Sequence, residues 1–197
     1  MAYYVGEETR VTPDGKQEKV FVFSCVPKEI RERYEQYKKQ AAQRKLELTK
    51  IADEAIKTNQ TLTTESHQLL LNLYNEIANE KIERPDISDG KNYSVRPFTD
   101  VAEKVGDHIR ILALDTALQQ LKQAGYQFFP DDLNFLKYLV GDRRSGFWVS
   151  DNNSQFNIRM DMNNIYVTPF GETKQHGEKK YPYSQILSLP QILSSFD

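Results

Sequence analysis

The sequence predicts an α+β protein: an N-terminal β-hairpin, a long antiparallel helical hairpin, a small helical layer and a C-terminal three-stranded antiparallel meander. Three observations carry this expectation. Residues 28–58 contain no Gly or Pro and bear a narrow apolar seam. Residues 107–124 concentrate apolar side chains over a wide arc. From Gly146 onward the apolar period drops to two.

The seam of 28–58 consists of Ile30, Tyr34, Tyr37, Ala41, Arg44, Leu48, Ile51 and Ala55, spaced alternately four and three apart. That step, about 3.5 residues, draws a stripe down one side of a helix. Ala, Glu, Lys, Gln and Leu dominate, and all are good helix formers. Pro27 suits the first helical position, and Glu29 and Glu32 suit the positive end of the helix dipole. At about 1.5 Å per residue the helix spans roughly 45 Å. Thr61 to Thr64 form a break and cap, after which Leu69, Leu70, Leu73, Tyr74 and Ile77 define a second apolar face. The two stripes are expected to bury each other, with pairing to another chain as the sharper alternative.

Before this helix, Tyr3-Tyr4-Val5 opens one strand and Lys19 to Cys25 forms the return. Between them Thr12-Pro13-Asp14-Gly15-Lys16 signals a turn. Val20 and Val22 face one side, and Phe21, Phe23 and Cys25 the other, so cover on both sides is expected, with Cys25 packed. Residues 83–97, with two prolines and a glycine, read as a linker. It divides the chain into 1–82 and 98–197. A short helix is expected over 98–105, an apolar one over 107–124 ending at Gly125, and another over 131–140. Phe147-Trp148-Val149, then Phe156, Ile158, Met160 and Met162, then Ile165 to Val167 give the meander. Asn163-Asn164 is expected to take the positive φ of a tight turn. The tail, 181–197, is apolar enough to dock.

Net charge is −2, charged residues make up 27% and hydrophobic ones 39%. This is the balance of an ordinary globular protein, not of a globally basic nucleic-acid binder. No run approaches a membrane span, and the N-terminus lacks a basic start and an apolar core. Cys25 is the sole cysteine. A cytoplasmic setting is expected.

Candidate chemistry is sparse. His67, His108 and His176 lie far apart in no ligand spacing, so no metal and no cofactor is assigned. There is no P-loop, no dinucleotide-binding glycine pattern and no Gly-x-Ser-x-Gly elbow. Asp115, inside the apolar helix, is the one carboxylate whose burial would raise its pKa. His108, two turns before it, is roughly 10 Å away and too far for a dyad. No catalytic residue is assigned. The expected function is protein–protein association of an accessory, adaptor or inhibitory kind, using the long helical hairpin and sheet edges. Candidate partner-binding residues are Tyr34, Tyr37, Lys38, Ala41, Arg44, Lys45, Arg143, Arg144 and Trp148. The partner would be another protein or a second copy, not a membrane. One alternative is a nucleic-acid-associated protein with a winged-helix-like C-terminal half, its recognition helix at 131–140 poor in base-reading side chains. Another is an enzyme centred on Asp115.

Overall fold

The computed structural model describes residues 2–129, 146–151, 153–161, 163–172 and 176–196. The architecture is α+β, as expected. It divides into two compact units, Met1–Thr49 with Asn79–Phe98, and Lys50–Ala78 with Thr99–Asp197. The border falls inside the first long helix.

In the first unit, β1 (Tyr3–Val11) pairs antiparallel with β2 (Gln17–Ser24) in a two-stranded sheet. The turn closes on Gly15, whose φ of 81° suits glycine, and Thr12 and Gly15 backbone N–H groups donate to Lys16 and Thr12 carbonyls. The cover expected on both faces is not there. Phe21 is 66% exposed and Phe23 60%, and Cys25 is exposed rather than packed. The pair forms a sheet of two strands, and its phenylalanine side is open to solvent.

Helix α1 (Lys28–Thr58) follows the predicted bounds. Its facing side departs from the 3.5-residue seam near the C-terminal end. Leu48 and Ala52 are buried, whereas Ile51 is 46% exposed. A straight α-helix turns about 20° per heptad away from a 3.5 repeat, so the buried stripe steps by four from 48 to 52.

Residues 83–97 hold a second hairpin, β3 (Ile82–Pro85) with β4 (Asn92–Val95). The turn is built by Asp86, which accepts the Ser88 N–H, and by Gly90 at φ 70°. Arg33 of α1 donates to the Gly90 carbonyl and to the Asn92 side chain. A Cβ on Gly90 would stand 2.8 Å from Ile30 Cδ1. The N-terminal end of the α1 seam is therefore met by this hairpin's turn.

In the second unit, α2 (Thr64–Asn79) starts with a reciprocal cap. Thr63 Oγ1 accepts the Ser66 N–H at 3.0 Å, and Ser66 Oγ accepts the Thr63 N–H at 2.8 Å. Leu70 and Ile77 are buried, Leu69 is exposed. Helix α3 (Thr99–Gln123) is one helix and not two. Gly106 stays helical, at a cost of about 1 kcal/mol relative to Ala, because Val105 and Ile109 on either side are fully buried. Gly125 ends the segment at φ 89°.

The meander is wider than predicted. Strands β5 (Gln127–Phe129), β6 (Phe147–Ser150), β7 (Gln155–Met160), β8 (Asn164–Pro169) and β9 (Lys179–Pro182) form a five-stranded antiparallel sheet in sequence order. The added strands come from the 126–130 segment and the polar loop before the tail. Both inner turns use one device. Asp151 Oδ1 accepts the N–H groups of Asn153 and Ser154, and Asp161 Oδ1 accepts those of Asn163 and Asn164. No described residue other than glycine has positive φ, so the Asn163-Asn164 expectation gives way to this aspartate turn. On the inner face Val149, Phe156, Ile158, Ile165 and Val167 are buried. The tail docks as a 3₁₀ helix (Tyr183–Ser188) and α4 (Leu189–Ser194). The 3₁₀ helix touches α3, β8 and β9, and the Tyr183 hydroxyl donates to the Ile109 carbonyl at 3.3 Å. The helix expected at 131–140 lies outside the described residues.

Candidate functional site

The residues marked in the sequence fall in two places. On α1, the Tyr34 and Tyr37 rings stand 5.8 Å apart and half-buried, with the Lys38 ammonium 5.6 Å from the Tyr34 ring centre. Ala41 is half-buried and Lys45 exposed. Arg44 forks onto Glu80, Nε to one carboxylate oxygen at 2.7 Å and Nη2 to the other at 2.9 Å, while Nη1 reaches Glu47 at 3.3 Å. These acids, Glu80 first, raise the Arg44 pKa further above its ordinary value. The guanidinium is thus spent within the chain, on the residue that follows α2. Trp148 lies on the C-terminal sheet, and Arg143 and Arg144 lie outside the described residues.

Several titratable groups of the second unit are engaged within it. His108 Nε2 donates to the Asn59 carbonyl at 2.6 Å, at the end of α1. His67 stacks on Tyr183, ring centres 4.8 Å apart. Burial lowers the pKa of His67. Arg110 is 4% exposed and pairs with Asp107 and Glu103 on its own helix, leaving Nε and Nη1 buried without a hydrogen-bond partner. Asp115 is half-buried and engaged. It lines a half-open cavity of about 610 Å³ with Leu118, Lys122, Tyr126 and Phe128. Among the described residues no three His, Cys, Asp or Glu side chains gather where a metal could sit. No helix there is long and apolar enough to cross a membrane.

Two surfaces emerge that pattern reading missed. The first is the open side of β1–β2. Tyr4 lies opposite Phe23 in the register, and its ring centre is 5.9 Å from Phe23 and 6.1 Å from Phe21. Tyr4 is 56% exposed. Glu7 and Lys19 pair across the same strands at 3.8 Å. The signal for this surface was present, in that a hairpin with apolar side chains on both faces has no partner strand following it.

The second surface is the outer face of the C-terminal sheet. Phe129, Trp148, Asn157 and Thr168 stand opposite one another across four strands. Phe170 packs edge-on to Trp148, 6.0 Å away at 69°. Phe129 is 70% exposed and Phe170 69%. Beside them Arg159 lies over the Tyr166 ring and bonds Glu178 at 2.6 Å, while the Tyr166 hydroxyl donates to Asp161 at 2.5 Å. Next to Phe170 a cleft of about 510 Å³ opens between Ser150, Asp151, Gln155 and Phe196. The backbone N–H groups of Asn153 and Ser154 hold the Asp151 carboxyl below the usual carboxylate range.

Comparison with known protein families, with curated proteins and with solved structures finds no match.

Proposed function

We propose that this chain is a protein-association module whose N-terminal hairpin docks a partner protein. One observation supports the reading most: Tyr4, Phe21 and Phe23 form a contiguous aromatic face open to solvent on a two-stranded sheet. With aromatic side chains of about 150–250 Å² each, the three present about 300–450 Å² of surface. Patches of that size on soluble proteins often mark interaction sites. An isolated two-stranded hairpin is also marginally stable on its own, and a partner laid over the aromatic face would stabilise it. Tyr and Phe are favoured at interface centres. The Tyr34–Tyr37 pair of α1 adds a second half-exposed aromatic site in the same unit.

The test compares the wild-type chain with the double variant Phe21→Ser, Phe23→Ser. Wild type is expected to self-associate in light scattering or to retain a partner from its native lysate. The variant, with unchanged circular dichroism, is expected to lose that association by about tenfold or more. Identical association by both proteins counts against the hairpin.

A further inference from the structure

We propose that the outer face of the C-terminal sheet binds a proline-rich segment of a partner protein, held as an extended polyproline II helix with a basic residue beside its prolines. This extends the association reading to a second surface and names its partner class.

Three features of that face point to this ligand. The Trp148 and Phe170 rings meet at 69° with centres 6.0 Å apart, forming two walls of a corner, and Phe129 extends the Trp148 side across the neighbouring strand. Proline rings pack well against such aromatic walls, and polyproline II is already extended, so docking it loses little conformational entropy. Polyproline II has no internal hydrogen bonds and presents its carbonyls outward. Asn157, opposite Trp148 in the register, and Gln155, lining the cleft, carry side-chain amides of the kind that donate to such carbonyls.

The third feature is charge. Among the described residues that line the cleft, Asp151 alone carries a charge. Two backbone N–H groups at 2.7 and 2.9 Å hold its carboxylate in place. Among the described residues, Arg159 is engaged with Glu178, and Lys179 lies over the Phe196 ring, 4.0 Å from its centre. An acidic cleft complements a basic residue on the peptide. Among the described residues of the cleft a phosphate backbone would meet a carboxylate and no cation, and a single-stranded nucleic acid is the competing ligand in the test.

Trp148 is the only tryptophan in the chain, so its emission reports binding at this face directly. The full-length protein is titrated with a synthetic peptide of Pro-Pro-x repeats ending in arginine, and with the same peptide ending in glutamate. A saturable change in Trp148 emission is expected, about tenfold tighter for the arginine peptide. Phe170→Ala should weaken binding of the arginine peptide by about tenfold or more. Its thermal midpoint should stay close to wild type, because the ring is largely exposed. Asp151→Asn keeps an acceptor oxygen for both N–H groups and should bring the two peptides to similar affinity. Absence of a saturable change, or full binding by Phe170→Ala, overturns the proposal. So does a salt-sensitive change with oligo-dT alone, which would assign the face to nucleic acid. The hairpin double variant leaves Trp148 and Phe170 in place, so failure here and failure of the hairpin reading are distinguishable.

Discussion

The two ends of the chain carry antiparallel sheets rich in apolar side chains, with opposite fates. In the C-terminal sheet Ile158, Ile165 and Val167 are fully buried, and the 3₁₀ helix of the tail lies against β8 and β9. In the N-terminal hairpin Tyr4, Phe21 and Phe23 share one face and are more exposed than buried. Alternation tells which side of a strand is apolar. Whether that side is covered depends on elements far away in sequence. The covered sheet contributes stability, since each fully buried Ile or Val is worth about 1.5–3 kcal/mol over its exposed state. The uncovered one leaves that apolar area facing water.

The largest expected effect breaks this comparison directly. Ile158→Ala should cost about 2–4 kcal/mol in urea unfolding, as for a fully buried aliphatic residue. Phe21→Ala removes a larger side chain and should cost less than about 1 kcal/mol, because the ring already faces water. Equal costs at a concentration where light scattering shows a monomer would mean that the hairpin face is covered within the chain, and the association reading would lose its basis.

The same contrast explains what was legible in the sequence. The bounds of α1, the cap at Thr63 and the three central strands were readable because they rest on local rules: helix propensity, capping and a period of two. What escaped was set by tertiary contacts. Phe21 and Phe23 were read as covered because both strand faces are apolar. Residues 83–97 were read as a linker from Pro and Gly, yet Gly90 is there to let the turn approach Ile30. Two helices were expected over 98–105 and 107–124, and burial of the neighbours of Gly106 keeps them one. Strands β5 and β9 are short edges, too brief for a period to show. Of the candidate residues, Arg44 was marked for a partner by its position in the seam, and only the geometry shows its fork onto Glu80. Trp148 was marked beside an arginine pair. Phe129 of β5 and Phe170, which directly follows β8, complete its surface and could be joined to it only through the fold.

The β3–β4 hairpin sharpens the comparison, being as small as β1–β2 but seated against α1. Gly90→Ala would force a Cβ to 2.8 Å from Ile30 at a φ of 70° that L-residues rarely adopt. A loss of about 1–3 kcal/mol is expected in thermal or urea unfolding. The matching change in the exposed turn, Gly15→Ala, meets the same φ restriction but no neighbouring atom, and should cost less. A reversed order would show that the β3–β4 turn is not held against α1 in solution.

The smallest expected effect probes the covered side from its edge. His67 stacks on the buried Tyr183, and its Nε2 is buried without a hydrogen-bond partner. Burial lowers its pKa below 6.5, so the folded protein keeps the ring neutral. Burial also raises the Tyr183 pKa, opposed by the Arg110 charge and reinforced by Asp161, so the ring under His67 is a neutral phenol. The unfolded chain takes up a proton on His67 first, near pH 6.5. Stability from this residue is therefore full above that pH and declines as pH falls below it, until the folded ring is protonated as well. His67→Phe keeps a stacking ring and removes the titration. Between pH 8 and pH 5.5 wild type should lose at most about 3 °C of Tm more than the variant. Equal losses would place His67 in contact with water in the folded state, and the docked tail would then be a looser cover than the inner face of the sheet implies.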